Sequence, residues 1–260
     1  MITRPLDPIG VRVDDLDLAT AGPDDLAAFP ALLAEHGVVV VPDQSLDDAA
    51  FAAFLAGFGE LVFTTGETPV PGFDDLNVIS NVGRETPPRS TFHVDTSYVS
   101  SPPAYTALRA VSIPESGGET LFSNQYAAYD SLPADVRDRL EGRTIEHVVT
   151  GVEPAPGEER SAHHPVFRRH PVSGRTSLYL TTPARCASIS GMDEAETAET
   201  VAYLLEHSTR EANVYRHAWS PGDVVMWDNG CVLHRADHSG VVGDRVMHRG
   251  MSRGYAALRS

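Results

Sequence analysis

Short apolar runs separated by Gly, Pro, Asn and Asp recur along this chain, which is the pattern of a strand-rich protein. "GVVVVP" (37–42) is apolar without interruption and predicts a buried strand. "LNVIS" (76–80), "AYTALRAVSI" (104–113), "GGETLFS" (117–123) and "TIEHVVTGV" (144–152) predict further strands, the second and third joined by a turn through Pro114–Gly118. "HPVFRRHPVSGRTSLYL" (164–180) reads as two strands around the turn Pro171–Arg175, and "PAPGEERSAHH" before it as a polar loop. "NVYRHAWS", "DVVMWD" and "RVMHRGMSRGY" complete the strand set. Helical spacing appears in three places. In 45–61, Phe51, Leu55 and Phe58 share a face behind a Ser45 cap; 124–142 reads as two short helices split before Pro133; 191–210 opens with acids suited to a helix N-terminus. Residues 64–92 read as a long loop broken only by "LNVIS", and a loop of that length is a candidate lid. The expected fold is mainly β with flanking helices, a β-sandwich or jelly roll, with 1–260 as one domain.

Composition narrows the function classes. The chain has 260 residues and a formal net charge of −16, from 36 acidic and 20 basic residues. Such a surface repels phosphate backbones, so nucleic acid is not an expected partner. The two cysteines form no CxxC pair, which points to a reducing compartment. The first residues carry no signal-like apolar run and no stretch is long enough to span a membrane, so a cytoplasmic location and no membrane partner are expected.

The stretch "TFHVDTSY" (91–98) carries the candidate chemistry. On an extended chain, His93 and Asp95 face one side and Val94 the other. An imidazole and a carboxylate both ligate divalent first-row metals, but two ligands bind weakly. His234, in "VVMWDNGCVLHRADHSG", is the third candidate, because adjacent jelly-roll strands would return it to the first pair. Two histidines and one carboxylate form the facial triad of non-haem Fe(II) oxygenases, and zinc accepts the same set. Beyond His234, Arg245, Met247 and Arg249 share a strand face, and paired guanidiniums suit carboxylates.

These residues resemble the Fe(II)/2-oxoglutarate-dependent dioxygenases of the taurine dioxygenase (TauD/TfdA-like) family. The resemblance runs from about Gly37 to Tyr255 through "FHVDTSY", "PPAYTALRAVSIPESGGETLFSNQYAAYDSLP", "HPVFRRHPVSGRTSLYL" and "WDNGCVLHRADHSGVVGDRVMHRG". It implies a double-stranded β-helix and a reaction using Fe(II), 2-oxoglutarate and O2 that releases succinate and CO2. It implies His93, Asp95 and His234 as iron ligands, Thr120 and Arg245 as the cosubstrate's carboxylate partners, and Arg249 as a contact to an anionic substrate.

Departures from the family pattern bear on the substrate. Phe92 stands where tryptophan is frequent, Gly230 where arginine is common, and Arg89 where the taurine enzyme has a substrate-binding asparagine. The loop after "FGELVF" lacks the histidine and tyrosine that hold taurine. The expected substrate is a small anionic organic molecule, such as an amino or carboxylic acid. It would be held by Arg249 and Arg89, with Tyr98 and Tyr179 lining its pocket. Hydroxylation is the expected outcome, with desaturation, epoxidation or cyclisation as variants. A zinc-dependent hydrolase and a non-catalytic jelly-roll sensor stay open as other classes, and a homo-oligomer is compatible with the sequence.

Overall fold

The structure is a computed structural model and describes residues 1–84 and 90–255. The chain begins with β1 (Ile2–Pro5), β2 (Val11–Asp14), α1 (Pro23–Ala27), α2 (Phe29–His36), β3 (Val38–Val41) and α3 (Asp48–Ala56). It continues through β4 (Pro69–Val70), β5 (Phe73–Ser80), β6 (Tyr105–Ser112), β7 (Thr120–Asn124), α4 (Gln125–Asp130) and α5 (Ala134–Leu140). There follow β8 (Thr144–Val148), β9 (Ser161–Pro165), β10 (Phe167–Arg169), β11 (Thr176–Leu178), β12 (Cys186–Ile189) and α6 (Glu194–Ser208). The last strands are β13 (Val214–His217), β14 (Val224–Asp228), β15 (Val232–Ala236) and β16 (Val246–Ser252).

An 8-stranded sheet has the order β1-β2-β3-β14-β6-β16-β5-β4, and a 3-stranded sheet the order β13-β7-β15. A second 3-stranded sheet, β12-β8-β9, and the β10-β11 hairpin complete the strands among the described residues. The unbroken apolar run of β3 has a direct cause. Val39 and Val41 enter a core shared with α2 and α3, while Val38 and Val40 enter a second core. A strand covered on both faces has no polar side to alternate with. The second core also holds Phe122 of β7, Val232 of β15, Trp227 of β14 and Met247 of β16, so it lies between the large sheet and the β13-β7-β15 sheet. A third core gathers α4, α5 and α6 around β8, β11 and β12.

Three expectations need adjustment. The strands at 104–113 and 117–123 are not paired neighbours, because β6 lies between β14 and β16 while β7 lies between β13 and β15. Helix α3 is capped by Asp47, whose carboxylate accepts from the Ala50 amide at 2.7 Å, rather than by Ser45. The polar segment at 154–164 ends in a strand, since Ser161–Pro165 pairs with β8. Among the described residues no helix is long and apolar enough to cross a membrane.

Candidate active site

"TFHVDTSY" forms a single bridge and then turns, instead of a full strand. The His93 amide donates to the His234 carbonyl and the His234 amide to the His93 carbonyl, each at 3.0 Å. Val94 points away into the core around α6, as alternation requires. The chain then reverses through Thr96, at φ 49°. His93 and Asp95 thus stay on one side, beside His234 of β15.

The three side chains meet. Their ligand atoms lie within 4.8 Å of one another. His93 Nε2 is 3.7 Å from Asp95 Oδ1, and His234 Nε2 is 3.4 Å from Asp95 Oδ2. Octahedral bonds of about 2.1 Å place neighbouring donors about 3 Å apart, so a small closure around an ion fits this set. His93 Nδ1 bonds the Thr91 carbonyl at 2.8 Å, which places its proton there and leaves the Nε2 lone pair for a metal. Burial pushes the His234 imidazole down to about 3, so it is neutral and able to ligate. Burial opposes ionisation of Asp95, but the Arg249 guanidinium, 3.2 Å from Oδ1, outweighs it and holds the carboxyl well below its usual range.

The carboxylate is also oriented from behind. Thr106 Oγ1 donates to Asp95 Oδ2 at 2.8 Å, and Asn229 Nδ2 donates to Thr106 Oγ1 at 2.9 Å. Neither residue was a sequence candidate. Only their positions, on β6 and in the "DNG" turn before β15, connect them to the site.

Arg245 forms a second polar centre. Its Nε donates to the Gly118 carbonyl at 2.8 Å and its Nη2 to Thr120 Oγ1 at 3.2 Å. Trp219 Nε1 also donates to Thr120 Oγ1, at 3.0 Å. Arg245 is only 1% exposed, and among the described residues no carboxylate pairs with it. Burial lowers its guanidinium to about 10, which leaves it charged at neutral pH. Gly118 permits this approach: at φ +77°, a Cβ would sit 3.0 Å from Arg245 Cδ and 2.9 Å from Pro114 Cγ.

Arg249 has carboxylate neighbours. Its Nη1 donates to Asp95 Oδ1 at 3.2 Å, its Nη2 lies 3.4 Å from Glu67 Oε1, and its Nε has no hydrogen-bond partner. An anion contact was expected of Arg249; its guanidinium is also steadied by two acids, Glu67 from the cavity wall and Asp95 from the buried side. That cavity has a volume of about 300 Å³ and is lined by His93, His234, Thr120, Arg245, Arg249 and Glu67, with Leu108 and Trp227 as apolar wall.

The two expected pocket tyrosines lie elsewhere. Tyr179 is buried beneath Arg168 and stacked on His147, in the core around α6. Tyr98 lines a separate cavity of about 250 Å³ with Thr96, Glu158 and Arg253. Arg89 lies outside the described residues. Gly230 has a steric cause: a Cβ there would meet the Tyr255 hydroxyl at 2.8 Å and Asp228 Oδ1 at 3.0 Å. Phe92 lies under the Arg235 guanidinium, 5.3 Å from ring centre to Cζ.

A second cluster, His170, Asp228 and Cys231, has the same ligand types but different proton positions. His170 Nδ1 accepts from the Val172 and Ser173 amides, so Nε2 carries the proton and donates to Asp228 at 3.0 Å. Burial raises the Cys231 thiol well above its usual range. This is a hydrogen-bonded brace for the turn before β15, with no free ligand lone pair on its histidine.

A triad open on one side, next to a cavity floored by an unpaired buried arginine, is the arrangement of a metal-dependent oxygenase with an acidic cosubstrate. The sequence pattern of the taurine catabolism dioxygenase TauD, TfdA family matches residues 2–251, and the chain belongs to that family. It is 34% identical to the alpha-ketoglutarate-dependent 2,4-dichlorophenoxyacetate dioxygenase of Cupriavidus pinatubonensis, over 96% of each chain. It is 30% identical to an alpha-ketoglutarate-dependent sulfate ester dioxygenase of Pseudomonas putida, covering 92% of this chain and 83% of that one. A taurine dioxygenase crystal structure from Burkholderia xenovorans superposes with a TM-score of 0.84 at 31% identity, covering 97% of this chain and 90% of the other. The protein is therefore a dioxygenase that uses Fe(II), alpha-ketoglutarate (2-oxoglutarate) and O2.

Proposed function

We propose that this protein oxidises a C–H bond of a small anionic organic substrate, by hydroxylation, while 2-oxoglutarate is converted to succinate and CO2. His93, Asp95 and His234 hold the ferrous ion, and Arg245 with Thr120 holds the far carboxylate of 2-oxoglutarate. Arg249 faces the substrate. The observation that carries this reading is Arg245: a buried cation with no carboxylate partner among the described residues, beside a threonine hydroxyl, in the cavity that also holds His93 and His234. An unpaired buried charge is unfavourable until an anion joins it.

The ferrous centre supplies activation of O2 and the oxidising power that breaks the C–H bond. The chain supplies position. The Thr91 carbonyl and Thr106 hydroxyl fix His93 and Asp95 before any ligand arrives. Gly118 and Trp219 hold Arg245 and Thr120 in place from the other side. Leu108 and Trp227 line the cavity as apolar wall, which limits water beside the reacting carbon.

The large sheet and the β13-β7-β15 sheet, facing across the second core, support a double-stranded β-helix, and the family match over 2–251 supports one catalytic unit spanning 1–260. The two buried free cysteines support a cytoplasmic location. The test is succinate formation from 2-oxoglutarate with the metal varied. Slow turnover that requires Fe(II) and O2 is expected even without substrate. Purification with zinc and no consumption of 2-oxoglutarate under any metal would sink the proposal.

A further inference from the structure

Glu67 is the residue that the oxygenase reading leaves without a task. It lies on the segment between α3 and β5, in the cavity wall, with its side chain 30% exposed. No step of the proposed reaction needs an acid there. Its Oε1 lies 3.4 Å from Arg249 Nη2. Arg249 is 8% exposed, and its Nε is buried without a partner. Its Nη1 donates only to Asp95, while its Nη2 serves Glu67 and Asn77, so one Nη1 hydrogen is left for a further acceptor.

The charges around the cavity give this pair a meaning. A ferrous ion, Asp95, a 2-oxoglutarate dianion and Arg245 cancel one another. Arg249 and Glu67 cancel as well. Arg84 adds a positive charge, but it is exposed, and its Nε donates to the Ser80 carbonyl at 3.1 Å. A plain carboxylate entering beside Arg249 would meet the Glu67 carboxylate at close range. A molecule with an ammonium next to its carboxylate would meet both groups with favourable sign, and two charged hydrogen bonds favour it over either half alone. Because the two groups are so close, the matching charges must be close too, as they are on the two ends of an α-amino acid head.

We propose that Glu67 and Arg249 together form a zwitterion subsite, and that the substrate is an α-amino acid whose side chain extends towards the iron. This rests on the oxygenase reading of the same site and narrows its substrate class. The carboxylate takes the unused Nη1 hydrogen of Arg249 and the ammonium takes Glu67. The pair stays neutral when the site is empty, which removes the penalty of an unpaired buried arginine.

The test compares apolar α-amino acids with the carboxylic acids that lack only the amino group, for instance leucine with 4-methylpentanoate and phenylalanine with 3-phenylpropanoate. Two readouts are taken on the enzyme loaded with Fe(II) and 2-oxoglutarate: stimulation of succinate formation in air, and the rise in Tm under anaerobic conditions. The expected result is that at least one amino acid exceeds its des-amino partner by about tenfold or more in kcat/KM and gives the larger Tm rise. Glu67→Gln is expected to remove that preference and to improve the des-amino acid. Equal or better performance of the des-amino acids in the unaltered enzyme overturns the subsite, as does a Glu67→Gln variant with the preference intact. A response to neither class also overturns it. Slow substrate-free succinate formation separates the two levels: if it is present while the preference is absent, only the zwitterion subsite fails; if it is absent, the oxygenase reading fails.

Discussion

The main chains of His93 and His234 exchange two hydrogen bonds of 3.0 Å, and their rings lie 4.3 Å apart. Two candidate ligand positions distant in sequence are thus set by backbone pairing, before their side chains contribute. His93→Ala should therefore fold with a metal-free Tm close to that of the unaltered protein. It should lose the Tm rise that Fe(II) produces, and its turnover of 2-oxoglutarate should disappear. Metal content after anaerobic loading and thermal unfolding with and without Fe(II) check both halves.

Thr106 connects Asn229 to Asp95 Oδ2. Valine has the same shape without the hydroxyl. Thr106→Val should weaken Fe(II) binding by roughly 10- to 100-fold, the usual scale for a group that orients a metal ligand. It should also lower stability by about 1–3 kcal/mol, because the Asn229 amide is left buried with one partner fewer. Metal titration and denaturant unfolding read the two effects separately.

Arg245 makes directed bonds to Gly118 and Thr120 that an ammonium cannot reproduce as a fork. Arg245→Lys should raise the Kd for 2-oxoglutarate by about tenfold or more while leaving Fe(II) affinity nearly unchanged. Calorimetric titration of the anaerobic iron-loaded enzyme measures it. An unchanged Kd would place the far carboxylate of the cosubstrate somewhere other than on Arg245.

His147 is fully buried, stacked on Tyr179, and both ring nitrogens lack a hydrogen-bond partner. Burial lowers its imidazole to about 3, against about 6.5 in an unfolded chain. The depressed value means that the unfolded state takes up the proton first. The contribution to stability is complete above pH 6.5 and is lost as pH falls from there towards 3, at up to about 1.4 kcal/mol per pH unit. His147→Phe should therefore flatten the fall of Tm in that window relative to the unaltered protein, with little difference above pH 7. Parallel acid-side unfolding curves for the two proteins would contradict this.

What the sequence made legible follows from how each feature is encoded. The buried strands and α6 were readable because their apolar spacing is local. His93, Asp95 and His234 were readable because their residue types are chemically distinctive. The pairing partners of β6 and β7 were not, since a turn between two strands looks the same whether they pair or separate into different sheets. Tyr179 carried no mark of whether its ring faced the cavity or the core around α6. Glu67 was hidden for a different reason. An acid in a Gly- and Thr-rich stretch reads as ordinary loop polarity, and only the folded chain places it 3.4 Å from Arg249. Arg249 was legible as a cation on the strand after His234, but its carboxylate neighbours come from two other segments.

The chain contains two tryptophans, and the fold has placed both at the chemistry. Trp219 donates to Thr120 with the Arg245 guanidinium 6.0 Å from its ring, while the Trp227 ring lies 4.6 Å from that of His234. With the ligands assigned as proposed, one indole reports on the cosubstrate pocket and the other on the metal. Intrinsic emission excited at the indole band becomes an unlabelled, two-channel probe of loading order: Trp219→Phe leaves a metal reporter, and Trp227→Phe a cosubstrate reporter.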